Sequence, residues 1–152
     1  MTSPRPSPSV TIYTDGTCTP NPGPGGWAAL LCYGKHEKVL MGSSPDTTNN
    51  RMELTAAIEA LRSLNQPCQV DLYTDSEYLR RGITEWLPRW RERGWRRKGG
   101  ELANVDLWQR LDSVLEVHQV NWHWIRGHAG YIENERVDRL ARQAADLPSH
   151  SD

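Results

Sequence analysis

The chain has no long hydrophobic run. No apolar stretch in it approaches the roughly 20 residues that a bilayer-spanning helix needs, so a membrane protein of that kind is excluded. Cysteine is scarce: Cys18, Cys32 and Cys68 are an odd count, widely spaced and without a C-x-x-C pair. Neither a disulfide framework nor a zinc site follows from that pattern. Buried or incidental thiols in the reducing cytoplasm are the expectation. Excess charge of one sign is missing too. A formal net charge of −1 rules out a uniformly basic polymer binder and confines any nucleic-acid surface to a local patch. The opening residues, MTSPRPSPS, have no apolar segment behind them and do not read as a secretory leader. Alternating Pro and Ser can neither form helix nor bury surface. The expected organisation is a disordered tail over 1–8, one domain over 9–147 and a short tail over 148–152; 152 residues suffice for one core.

What is present is an ordered series of strand and helix signals. Val10 to Thr14 is β-branched and aromatic and stops at Asp15-Gly16, a turn signal. Residues 21–26, NPGPGG, read as loop, 27–33 as a second strand, and Gly34-Lys35 as a hairpin into a third strand over 38–42. Three early strands with short links suggest an antiparallel meander. Thr47 to Asn50 offers N-caps for a helix whose apolar residues, Leu54, Ala57, Ile58, Leu61 and Leu64, recur at helical spacing. Val70, Leu72 and Thr74 alternate on a fourth strand ending at Asp75-Ser76. A short helix is predicted over 77–83, a broken pattern over 86–100, and a further helix from Asn104 with Leu107, Leu111, Val114 and Leu115 on its apolar face. Val120, Trp122 and Trp124 alternate on a fifth strand; a loop over 127–130 and a final helix over 132–145 follow. Right-handed strand-helix-strand crossovers make strands 1, 4 and 5 parallel. The fold class is therefore α/β: a five-stranded mixed sheet, strands 1–3 antiparallel, strands 4 and 5 parallel to strand 1, with helices on both faces.

Four acids stand at telling places, although each has an ordinary explanation. Asp15 before Gly16 could be a turn residue. Glu53, three residues after Asn50, could complete a variant capping box. Asp75 is placed to N-cap the next helix. Asp138 precedes Arg142 by four residues, the favourable order for a helix-surface ion pair. Taken together they read differently. Asp15 and Asp75 end strands that should lie side by side and parallel, where open α/β sheets gather their ligands. Glu53 opens the connecting helix, and Asp138 lies on the last helix, which would have to pack across the same edge. Converging carboxylates without matching Lys or Arg are costly unless a cation fills the centre. Oxygen-only ligands favour Mg²⁺ or Mn²⁺ over zinc and suit phosphoryl transfer.

Five stretches carry a family resemblance: YTDGTCTPNPGPGGWAALL, TTNNRMELTAAIEAL, YTDSEYLRRGITEW, NVDLWQRL and WIRGHAGYIENERVDRLA. In order, and from residue 10 to 145, they resemble the bacterial type I ribonucleases H. The resemblance implies a ribonuclease-H-like fold and an endonuclease that hydrolyses the RNA strand of RNA–DNA hybrids, leaving 5′-phosphate and 3′-hydroxyl ends. It implies two Mg²⁺ ions, for which Mn²⁺ substitutes. One would lie between Asp15 and Asp138 and the other among Asp15, Glu53 and Asp75, so that Asp15 bridges both. His128 matches the family histidine that assists proton transfer or product release; by itself it would be an incidental loop histidine.

An enzyme for hybrids must detect 2′-hydroxyls on one strand, which short amides in the minor groove can do. Asn21, Asn49 and Asn50 flank Asp15 and Glu53 and match residues that touch that groove in similar enzymes. Thr48 and Asn104 match positions that grip a DNA-strand phosphate. Residues 86–98 hold six basic side chains, one acid and three Trp. Such Trp spacing also suits core packing, but the arginines cannot all be buried, so one side must be a cationic face. The resemblance makes this the family's basic protrusion, with Trp86 and Trp90 lining a DNA channel and Arg93, Arg96 and Arg97 meeting phosphates. Departures are Glu77 and Arg81, where several relatives carry glutamines, Asp46, where some carry a basic residue, and Pro88 and Glu92 in the protrusion. Two other readings stand beside this one: a different nuclease on the same fold, such as a transposase, integrase or resolvase core, and a catalytically inactive hybrid-binding module. A monomer is the default.

Overall fold

The computed structural model describes residues 8–95, 103–126 and 132–146. Its elements are β1 (Ser9–Cys18), β2 (Gly23–Tyr33), β3 (His36–Thr47), α1 (Asn49–Arg62), β4 (Gln69–Thr74), α2 (Glu77–Arg81), a π-helical turn (Gly82–Trp86), α3 (Leu87–Glu92), α4 (Val105–Val117), β5 (Gln119–Trp124) and α5 (Ile132–Asp146). The strands form one sheet in the order β3-β2-β1-β4-β5. β1 pairs antiparallel with β2 and parallel with β4, and β5 is parallel to β4. This is the mixed α/β sheet that the sequence implies. Among the described residues, no helix is long and apolar enough to cross a membrane.

Strand alternation divides the apolar residues between two faces. Val10, Ile12, Ala29, Leu31, Val70 and Leu72 join α1 and α4 in the larger core, where Leu54, Leu61, Trp108 and Leu111 are fully buried. Ala28 and Leu30 face the other way and pack on Val137 and Ala141 of α5. Helices therefore cover both faces.

The strands are longer than expected. β1 runs on through Asp15-Gly16, which is no turn, and pairs with β2 as far as Cys18↔Gly25. β2 takes in the glycines expected to be loop, and β3 extends to Thr47. Those glycines serve close packing rather than chain reversal. A Cβ on Gly26 would stand 2.3 Å from the Ala141 carbonyl oxygen, so α5 lies directly on the β2 backbone.

The helix predicted over 77–83 does not stop there. It widens through one π turn, in which the Leu87 N–H reaches the Gly82 carbonyl, and continues to Glu92. Pro88, lacking an N–H, cannot carry the α pattern through this point. Trp108 stacks its ring on bare Gly82, where any Cβ would stand 1.9 Å from a ring carbon. Trp86 and Trp90 are half-buried against the larger core, 6.0 Å apart between ring centroids. Packing thus takes most of each ring and leaves an edge outward.

Candidate active site

Each acid is delivered to the site by a different element. The parallel ladder between β1 and β4 ends at Tyr13↔Tyr73, and Asp15 lies two residues further along β1, on the same face as Tyr13. Asp15 thus lies beyond the end of that ladder but within its strand. Asp75 directly follows the last residue of β4. α1 crosses Gly16 in backbone contact: a Cβ there would stand 2.4 Å from the Glu53 nitrogen. Only glycine permits that approach, which seats the first turns of α1, with Glu53, against the strand next to Asp15. On the other face, the close seat of α5 on Gly26 brings Asp138 to Asp15, and the two carboxyls share a hydrogen bond.

The electrostatics follow from that crowding. A hydrogen bond between two carboxyls requires a proton on one of them. Burial, the Asp138 hydrogen bond and the charges of Asp75 and Asp138 push the Asp15 pKa up to about 9, against a smaller opposing contribution from the Gly16 N–H. Burial also pushes Glu53 up to about 7, with Asp75 adding to the rise and hydrogen bonds from Ser76 and Asn49 opposing it. The four acids thus form one electrostatic unit running Asp138, Asp15, Asp75, Glu53. Arg142 is ion-paired to Asp138 at 3.2 Å, as the spacing suggests, but its side chain is 65% exposed and weakly compensating.

With the Asp15 turn already excluded, two more of the single-residue explanations fail. Thr48 caps α1, accepting from the Arg51 N–H, and Glu53 takes no capping-box role. The N-cap of α2 is Ser76, whose oxygen accepts from the Leu79 N–H at 3.0 Å, so Asp75 is not the cap. The Ser76 hydroxyl then donates to Glu53 Oε2, while Asn49 Nδ2 donates to Oε1 at 3.0 Å. Sequence reasoning missed Ser76. A hydroxyl following a strand-ending acid at a helix start was the signal available. Ser76→Ala should cost about 1 kcal/mol for the lost cap. With a donor to its carboxylate gone, Glu53 should also hold its proton to higher pH, moving the acid limb of the pH–activity profile upward; an unmoved limb would show that Ser76 only caps.

The remaining predicted residues sit around this centre. The Asn21 side-chain oxygen accepts from the Asn49 N–H at 3.2 Å, tying the β1–β2 loop to the start of α1, where Asn50 is half-buried. Asn104, at the N-cap position of α4, makes no side-chain cap. Arg93 ends α3 exposed to solvent, whereas Arg91 is held by Asp112, its Nε donating at 2.6 Å. His128, Arg96 and Arg97 lie outside the described residues, as do the two tails and the GHAG loop. Glu77 and Arg81 are exposed on α2, and Asp46 is exposed near the end of β3.

An oxygen-only donor set, in which Asp15 and Glu53 retain protons above the ordinary carboxylate pKa, fits hard divalent cations such as Mg²⁺ or Mn²⁺. Among the described residues no three His, Cys, Asp or Glu are already arranged to hold an ion. Glu53 is turned onto Ser76 and Asn49. The centre lies past the end of the β1–β4 ladder, and its four acids are half-buried. A cavity of about 300 Å³ at the opposite end, lined by Pro8, Val10, Leu31, Leu64 and Cys68 among others, contains none of the four acids.

Known proteins share this arrangement. Residues 7–146 match the family profile described as RNase H. The chain is 62% identical over 138 residues to a ribonuclease H of Halorhodospira halophila, covering 90% of this chain and 93% of that one. It is 60% identical over 136 residues to a ribonuclease H of Bradyrhizobium diazoefficiens, covering 89% and 88%. Among solved structures it resembles LC9-RNase H1, a type 1 RNase H with the type 2 active-site motif, with a TM-score of 0.85, 39% identity and coverage of 94% and 74%. LC11-RNase H1, solved in complex with RNA/DNA hybrid, aligns with a TM-score of 0.67, 25% identity and coverage of 90% and 96%. With its sheet order, its acid-bearing edge and a profile match spanning nearly all of its length, this chain belongs to the ribonuclease H family.

Proposed function

We propose that this chain is an endoribonuclease that hydrolyses the RNA strand of RNA–DNA hybrids with two Mg²⁺ ions, leaving 5′-phosphate and 3′-hydroxyl ends. The observation that carries the reading is the four-carboxylate edge, two of whose members keep protons where ordinary acids would have lost them. Asp15 and Asp138 would hold one ion and Asp15, Glu53 and Asp75 the other. Bound there, the ions supply water activation and charge neutralisation at the scissile phosphate. Asn49 and Ser76 position Glu53. Asn21, Asn49 and Asn50, on adjoining segments, read the 2′-hydroxyls of the minor groove. Thr48 and Asn104 take a DNA-strand phosphate, and His128 moves a proton at the leaving oxygen or eases product release. The protein acts as a cytoplasmic monomer.

A cleavage assay in Mg²⁺ comparing RNA–DNA hybrid, duplex DNA and duplex RNA tests this directly. Only the hybrid should be cut, in its RNA strand; cutting of duplex DNA with the hybrid intact would end the reading. Replacing Arg93, Arg96 and Arg97 together by Ala should raise KM and reduce the salt slope by roughly one for each phosphate no longer neutralised. Titrating KM against salt checks it, and an unchanged slope would remove this segment from the interface.

A further inference from the structure

Asn104 gives up the role its position offers. It occupies the N-cap of α4 in a left-handed conformation (φ 58°), and its carbonyl accepts from the Leu107 and Trp108 N–H groups at 3.0 Å each. An N-cap Asn normally turns its side-chain oxygen onto the same helix start. Here the side chain makes no such bond. Its Oδ1 instead accepts from Arg51 Nη1 at 3.2 Å, and its Nδ2 donates to the Tyr78 hydroxyl oxygen at 2.9 Å. Both partners are themselves fixed. Arg51 is forked onto Asp106 at 3.1 and 2.8 Å. The Tyr78 oxygen also accepts from Trp108 Nε1 at 3.0 Å, and Trp108 is fully buried.

These bonds decide which way the amide faces. Flipped, it would set its NH₂ group against the Arg51 guanidinium, two donors facing each other. As held, one Nδ2 proton is spent on Tyr78 and the second is left to donate. Thr48 is in a matching state: its oxygen already accepts from the Arg51 N–H at 3.2 Å, which leaves its hydroxyl proton available. Arg51 thus touches both residues.

We infer that Tyr78 and Arg51 are positioning residues that aim the Asn104 amide, with Thr48, at a backbone phosphate of the DNA strand. The inference rests on the substrate reading above. Neither residue touches substrate; each acts by fixing a donor in advance, so that binding does not have to order it.

The test uses the full chain and RNA–DNA hybrids carrying one neutral methylphosphonate, moved in turn along the DNA strand. In the wild type, one position should raise KM about tenfold, as expected for a hydrogen bond to a charged group. Tyr78→Phe should raise KM on the unmodified hybrid by a similar factor, leave kcat in place, and flatten the sensitivity at that position alone. Arg51→Met, which removes the other anchor without touching Tyr78, should flatten the same position. A Tyr78→Phe loss spread evenly over every methylphosphonate substrate, or falling in kcat, would mean a structural role and overturn the proposal. If Asn104→Ala flattens the profile and neither positioning variant does, the proposal fails while the substrate reading survives. If no position matters in the wild type, or Asn104→Ala leaves the sensitive one unchanged, that reading falls and takes the proposal with it.

Discussion

Asp15→Asn is expected to abolish hydrolysis and, in the same molecule, to stabilise the metal-free fold. Loss of activity follows from the position of Asp15, which touches Asp138 and lies under the charge of Asp75. Removing its charge should lower kcat by at least about 10³-fold, while hybrid binding, which rests on other groups, persists. The gain in stability follows from linkage. Asp15 is raised from 3.8 to about 9 on folding, so between those values the folded state holds a proton that the unfolded chain releases. Stability from this group is complete below the unfolded value and is lost as pH rises through the folded one. An amide has no such liability and can still bond to Asp138. Near pH 8 the gain should be on the order of 2 kcal/mol, below the full linkage value because part of the carboxyl still meets solvent. Thermal melts in EDTA and hybrid binding by anisotropy check both halves. Retained turnover would refute the assignment, and an unchanged melting curve would refute the electrostatics.

Mg²⁺ should bind with strong pH dependence, because it must displace the protons that now relieve the cluster. Glu53 is raised from 4.5 to about 7, the same direction as Asp15, so its stabilising contribution is also lost as pH rises, through about 7. Below that point both acids are protonated in the folded protein, and ion binding should release about two protons; between about 7 and 9 it should release about one. Affinity should therefore climb up to about 100-fold per pH unit in the first range and about tenfold in the second. Metal protection against heat should be larger at pH 9 than at pH 6, opposite in trend to the metal-free stability. Calorimetry in buffers of different ionisation enthalpy counts the protons directly. A pH-independent affinity would mean that the carboxylates do not hold the metal.

Much of the fold is legible in the sequence. The strand and helix periods, the order of elements and the parallel crossover follow from local patterning and chain handedness, which tertiary context rarely overrides. What misleads is punctuation. Asp15-Gly16 looks like a turn because Gly is usually chosen for its freedom, yet here it is chosen for its lack of a side chain beneath α1. Asp75 looks like a cap because any acid at a helix start does; only in the folded chain is it plain that the next residue takes that role. The helix beyond residue 83 is obscured because a π turn shifts the apolar period by one residue.

By itself, then, the sequence determined the α/β sheet and singled out the four candidate acids and the cationic segment that follows α2, because each is written in periodicity and charge along a few neighbouring residues. Only the tertiary structure decided that Asp138 meets Asp15, that Ser76 and Asn49 hold Glu53 aside, and that Arg51 and Tyr78 fix the Asn104 amide. Apart from the Asn49–Glu53 bond within α1, those interactions join side chains from separate elements. Their existence depends on how closely two helices can approach bare backbone at Gly16 and Gly26, a distance that no local pattern encodes.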